Sequence, residues 1–154
     1  MRQIDLLLDQ YSSDHRNTTN QLIHVFCVPA IVWSVTAMLW AIPVPGTWFL
    51  PGAFSALAMF LAWAYYWRLS RKLAMGLFAC FFASALLNRW IANRYGMNVL
   101  LLLAVGVFVL AWIGQFIGHK IEGHRPSFLT DAVFLLIGPL WTLRKLYQRI
   151  GIGY

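Results

Sequence analysis

An all-α, polytopic helical bundle embedded in a bilayer is the fold this sequence predicts, and composition, a long charge-free run and the placement of the cations each point to it. Of 154 residues, 60% are hydrophobic, 16% aromatic and only 11% charged, where a soluble domain carries roughly a quarter charged residues. That balance excludes a disordered chain, a secreted disulfide scaffold and an ordinary water-soluble globule. Twelve Lys and Arg against five Asp and Glu leave a net charge of +7. The cations are spread thinly between apolar runs and form no stripe, so they indicate membrane topology and anionic headgroups, with no nucleic-acid partner. The length fits a single integral membrane domain, 1–154. Cys27 and Cys80 lie in apolar stretches, where a thiol packs as a small hydrophobe. Asp5, Asp9 and Asp14 precede the first long apolar run, the wrong order for a cleavable signal.

At the N-terminus, Ile4, Leu7, Leu8 and Tyr11 recur at i, i+3, i+4 and i+7, with Asp5 and Asp9 elsewhere, which predicts an amphipathic helix lying on the membrane surface. No Lys, Arg, Asp or Glu occurs from Asn17 to Trp67, a run far longer than the about 20 residues of one crossing. It must fold back once, and Pro43-Val44-Pro45-Gly46 is the place. This gives spans near 22–42 and 47–67. Arg68, Arg71 and Lys72 end the second, and a shorter third span, 73–88, is flanked by Lys72 and Arg89, whose stems can snorkel outward. A fourth span covers 97–118. The last apolar segment, 132–147, is short and carries Gly138-Pro139 in its middle, and is expected to form a re-entrant or interfacial helix pair. Counted by loop, ten Lys and Arg fall on the side of the N-terminus and two on the other, so both termini are expected to be cytoplasmic.

That topology sets all four histidines at one level. His15 and His24 flank the start of the first span, and His119 and His124 follow the end of the fourth. If those spans are neighbours, the imidazoles converge at the membrane–water boundary, and converging neutral imidazoles suit a metal ion. Between His15 and His24 the polar quartet Asn17-Thr18-Thr19-Asn20 breaks the helix, with Asn17 or Thr18 capping the next one. Glu122 lies one turn beyond His119, placed to join a metal or to orient an imidazole, and Asp131 has the same two options or caps the last segment. Gln115, a turn before His119, is a polar group at an expensive depth, facing either a neighbouring helix or the site. The plainer reading is that histidines rest in the headgroup region as amphipathic side chains, and spacing alone leaves both readings open. Arg16 and Arg125 are lipid-phosphate contacts or partners for a lipid carboxylate. The tryptophans, Trp141 among them, read as interfacial belt and packing.

Two stretches carry a family resemblance: Tyr11, His15, Arg16, Asn17, Asn20, His24 and Pro29 near the start, and Trp112, Gln115, Phe116, Gly118, His119, Glu122, Arg125 and Pro126 late in the chain. Together they resemble the membrane-embedded 2-hydroxy fatty acid dioxygenases typified by a fungal endoplasmic-reticulum enzyme, over essentially the whole chain. The resemblance implies Fe(II), dioxygen and a 2-hydroxy fatty acid, converted by α-oxidation to the acid one carbon shorter and carbon dioxide. It implies His15, His24 and His119 as iron ligands, His124 or Glu122 as a possible fourth, and Arg125 as partner of the substrate carboxylate. It also implies location in the endoplasmic reticulum for a eukaryotic chain and in the cell inner membrane for a bacterial one. Imidazole suits zinc equally well. The rival from another class is a non-enzymatic membrane scaffold or lipid-binding protein, for which no metal is needed. A transporter is disfavoured, because no ionisable residue lies deep in a span and no inverted repeat is present. A histidine-box di-iron enzyme needs more imidazoles than the four available.

Overall fold

The computed structural model describes residues 2–46, 50–123 and 133–153. Among them are six helices and no strand: α1 (Gln3–Ser13), α2 (Thr18–Trp40), α3 (Ala53–Leu69), α4 (Arg71–Tyr95), α5 (Met97–Glu122) and α6 (Val133–Arg149). The all-α architecture expected from the sequence is therefore present. Three helices, α2, α4 and α5, are long and apolar enough to cross a bilayer. At 17 residues, α3 is about 26 Å long at 1.5 Å per residue, a little short of the hydrocarbon thickness.

The helix starts follow local chemistry. Asp5 accepts from the Arg2 backbone N–H at 3.3 Å and pairs with the Arg2 guanidinium at 2.9 Å, closing the first turn of α1. Asn17 caps α2 as expected, its Oδ1 accepting from the N–H of Thr19 at 2.9 Å and of Asn20 at 3.3 Å. The chain turns at 43–46, where Gly46 takes φ 77°. The third apolar helix outruns its expected end at residue 88: it continues through Arg89 and Arg94 to Tyr95, because neither arginine breaks a helix. Gly96 stops it at φ 93°, a conformation that glycine alone adopts without strain.

Two expectations are corrected by packing. The apolar face of α1 does not lie free on a membrane surface. Ile4, Leu8 and Tyr11 are buried in one core with Ile137, Leu140 and Trp141 of α6 and Leu73, Leu77 and Phe81 of α4. The last segment is not a pair of helices broken at Gly138-Pro139 but one continuous helix with Pro139 inside it. Proline removes one backbone bond, and burial of Ile137, Leu140 and Trp141 on the turns around it outweighs that loss, as tertiary packing commonly overrides propensity.

The spans carrying the histidines, α2 and α5, pack more extensively than any other pair. Glycines permit the approach: a Cβ on Gly114 would stand 2.7 Å from Cys27 Sγ, and one on Gly118 would overlap Asn20 Oδ1. Close backbone packing of this kind, with polar groups bonding across helices, holds helices together in lipid. The second device joins α2 to α4, where Thr36 Oγ1 and Ser84 Oγ share a hydrogen bond of 2.7 Å. Gly106, by contrast, has open space where its Cβ would be. Gly114→Leu is accordingly expected to lower stability by about 1–3 kcal/mol through overpacking, while Gly106→Leu leaves the thermal midpoint in detergent unchanged; equal midpoints for the two variants would contradict the close α2–α5 contact.

Candidate metal centre

Three of the four histidines come together. His15 sits in the short link between α1 and α2, His24 two turns into α2, and His119 in the last turn of α5. Their ring centroids stand 4.4 Å (His15–His24), 5.2 Å (His15–His119) and 5.0 Å (His24–His119) apart. One ligand nitrogen from each lies within 4.8 Å of the other two. All three side chains are buried, His15 and His24 at 1% exposure.

Hydrogen bonding fixes which nitrogens face inward. His15 Nδ1–H donates to the Tyr11 carbonyl at 2.7 Å, and His24 Nδ1–H donates to the Asn20 carbonyl at 3.0 Å. A carbonyl oxygen only accepts, so each Nδ1 holds the proton and each Nε2 of a neutral ring presents a lone pair. Those two Nε2 atoms face one another at 3.1 Å. Two lone pairs at that distance repel unless a cation lies between them. A proton would serve if one ring became an imidazolium, but burial opposes that charge and pushes His15 below the usual imidazole value of 6.5, against its hydrogen bond to Tyr11. A metal ion meets the need: nitrogens about 2.1 Å from one ion, at octahedral or tetrahedral angles, stand about 3.0–3.4 Å apart. His119 completes the cluster as its third ring, and its Nδ1 is buried with no hydrogen-bond partner. Backbone carbonyls bonded to the outer nitrogens are the usual means of orienting ligating histidines.

Around the triad the walls are aromatic and apolar. The Tyr11 ring stacks on His15 at 4.2 Å and 8°. Trp141 lies 5.7 Å from His15 and 6.4 Å from His24, held by its indole N–H donating to Ser12 Oγ at 2.9 Å. A cavity of about 70 Å³ opens beside the rings, lined also by Gln115, Trp112 and Pro139. Gln115 Nε2 is buried there without a partner, a donor available to a bound oxygen atom.

Glu122 does not join the cluster. Its carboxylate accepts from the backbone N–H of Arg16 at 2.8 Å and of Asn17 at 3.0 Å, and from Asn20 Nδ2 at 2.9 Å. It braces the end of α5 against the start of α2, where a negative charge also suits the helix dipole, and so fixes the offset between His119 and His24. His124, Arg125 and Asp131 lie outside the described residues. Sequence reasoning left Trp141 among the other tryptophans. Nothing in its spacing marks it, since its role comes from the docking of α1 on α6. Tyr11 was visible as the residue one turn before His15.

A family model described as 2-hydroxy-palmitic acid dioxygenase Mpo1-like matches residues 1–150. A curated relative, 2-hydroxy-palmitic acid dioxygenase MPO1 of Saccharomyces cerevisiae, is 26% identical over 144 residues, covering 92% of this chain and 78% of its own length. No solved structure matches the chain.

Two measurements separate ligand from brace. His15→Ala, His24→Ala and His119→Ala are each expected to lose bound metal when the purified protein is analysed by elemental spectrometry. Glu122→Ala is expected to retain metal at saturating supply while losing about 1 kcal/mol or more, because it strands three N–H donors. In metal-free protein the depressed His15 value makes the folded state bind its proton less readily than the unfolded chain. Stability should therefore hold above the usual value of 6.5 and fall as pH drops below it; a thermal midpoint that rises on acidification through that range would contradict burial of a neutral ring.

Proposed function

The chain belongs to the Mpo1-like family, and on that premise we propose that it is an Fe(II)-dependent dioxygenase that shortens 2-hydroxy fatty acids by one carbon. The observation supporting the metal is the pair of inward lone pairs on His15 and His24, 3.1 Å apart and buried. The donor set alone fits zinc as well, and family membership is what favours iron. The relative's printed name, a 2-hydroxy-palmitic acid dioxygenase, supports the substrate class.

The overall change is R–CH(OH)–COOH + O₂ → R–COOH + CO₂ + H₂O. The C1–C2 bond breaks, C2 is oxidised to the carboxyl level, and dioxygen takes up all four electrons. Neither a reductase nor an organic co-substrate is required. Iron, when bound, supplies Lewis acidity toward the hydroxyl and carboxylate oxygens and the one-electron chemistry dioxygen demands. His15, His24 and His119 hold it, and we assign the fourth position to His124 in preference to Glu122, whose oxygens already accept three hydrogen bonds. The carbonyls of Tyr11 and Asn20 hold the Nδ1 protons so that both Nε2 atoms stay neutral donors of electron pairs. Tyr11 and Trp141 keep bulk water from the rings. Gln115 Nε2–H donates to a substrate oxygen, and Arg125 pairs with the carboxylate.

The same layout supports a location. The histidines cluster at the N-terminal end of α2 and the C-terminal end of α5, the side that carries ten of the twelve Lys and Arg. We place that side in the cytoplasm, both termini with it. A head held at this level leaves the acyl chain in hydrocarbon, where each buried methylene contributes about 0.8 kcal/mol to retention.

Purified protein given Fe(II), dioxygen and 2-hydroxypalmitate should release the acid one carbon shorter together with carbon dioxide, detected by mass spectrometry. His119→Ala should lower that rate at least about 100-fold, beyond what loss of an outer partner of a ligand produces. Zinc-loaded protein should be inactive. Absence of product from folded protein with full iron occupancy would sink the reaction.

A further inference from the structure

The cavity beside the histidines, about 70 Å³, has room for the head of a fatty acid and not for its tail. A second, larger opening of about 480 Å³ runs between α2, α4 and α6. The two share Val28, Val32 and Pro139 as lining residues, so they adjoin along one apolar seam. The larger one has polarity at one end. Among its described lining residues the charged ones are Lys145 and Arg149, both in the C-terminal half of α6. Lys145 is held there by Gln21 Oε1 at 2.5 Å and by the face of Trp141 at 4.5 Å, the same indole that walls the histidine triad. Thr142 and Ser84 apart, the rest of the described lining is apolar as far as Trp33 on α2 and Leu87 on α4.

We propose that this groove is the acyl-chain site of the enzyme. The tail crosses from the histidine cavity past Val28, Val32 and Pro139 and lies along α4, and the residues at its deep end, Ala83, Ser84 and Leu87, set the preferred chain length. The proposal rests on the dioxygenase reading for the identity of the head, and on the groove's position beside the histidine cavity, its apolar lining and its length for the tail. Its walls span Val25 to Trp33 on α2 and Leu77 to Leu87 on α4, about 12 and 15 Å at the helical rise. An extended chain advances about 1.2 Å per bond, as three backbone bonds span about 3.6 Å, so the groove accommodates about ten to twelve carbon–carbon bonds. That selects long-chain acids over short ones.

A bilayer phospholipid tail offers the same chemistry as the substrate tail, and the test must tell the two apart. A 2-hydroxy fatty acid bearing a diazirine in mid-chain is photolysed with the metal-loaded protein in detergent–phospholipid micelles, and labelled peptides are mapped. Labelling is expected on α4 between Cys80 and Leu87 and on α2 between Val28 and Trp33. Unlabelled 2-hydroxypalmitate should compete it away, and excess phospholipid should not. Labelling that phospholipid displaces, or that falls on α3 or the outer face of α5, overturns the proposal. Ala83 and Cys80 are exposed on α4, so Ala83→Phe and Cys80→Phe fill the groove without burying a misfit. Each should lower the long-to-short ratio of bound or converted chains at least about tenfold with iron content unchanged; an unaltered ratio in both overturns the assignment. Competed labelling without turnover would retain the groove and remove the reaction, whereas turnover with labelling elsewhere would do the reverse.

Discussion

Two buried imidazole nitrogens that both present lone pairs repel one another at 3.1 Å unless something positive joins them. The proposed metal centre rests on that constraint. The repulsion would be relieved easily if either ring could turn, but each is held by a hydrogen bond from its far nitrogen to a backbone carbonyl one helical turn earlier. In both cases the residues are four apart, Tyr11 to His15 across the end of α1 and Asn20 to His24 within α2, so the local backbone that positions each ring also fixes its tautomer. A site arranged this way is preorganised: two of the rings are held in place, and their Nε2 atoms are free of protons, before a cation arrives.

The scaffold that keeps the third ligand in register is built from different physics. Lipid supplies no hydrophobic force between helices, so α2 and α5 approach through small residues and polar bonds. Gly118 allows Asn20 to lie against α5, and Asn20 then reaches Glu122 through its amide while its carbonyl accepts from His24. One asparagine thus links the contact between the helices, the brace at their ends and the orientation of a ligand. Glu122 closes the arrangement by binding the N–H groups that open α2. A carboxylate so used is a poor metal ligand, because coordinating an ion would leave those donors without acceptors.

Much of this was legible in the sequence. The charge-free run, the Pro43–Gly46 turn and the cation count specify a membrane bundle, and a bundle with those spans puts His15, His24 and His119 at one level whatever the detailed packing. The Asn17 cap was readable because its chemistry is local. What could not be read were features that depend on which surfaces meet. The period of Ile4, Leu8 and Tyr11 identifies an apolar face but not its partner, and lipid and protein are equally apolar candidates. Pro139 signals a break that burial of its neighbours overrides. Trp141 looks like seven other tryptophans until α6 is seen to pass under α1. Glu122 at i+3 from His119 was correctly adjacent, yet whether it faced the ion or the backbone amides depended on the offset of α2.

The docking of α1 on α6 also explains how a residue so near the N-terminus becomes part of a centre assembled from distant spans. Ile4, Leu8 and Tyr11 bury against Ile137, Leu140 and Trp141, Trp141 bonds Ser12, and Arg144 pairs with Asp9 at 2.9 Å. The last of these is exposed and contributes little by itself. The buried face and the indole bond do most of the holding, and they deliver His15 to the two histidines on the spans. With His15 as one of three ligand nitrogens, as proposed, ion binding and docking of α1 would be linked: whatever favours one favours the other by the same free energy. A metal bound at the triad would therefore do more than complete the proposed reaction centre. It would join the N-terminal helix, the two most closely packed helices and, through Trp141, α6, the helix that walls both cavities.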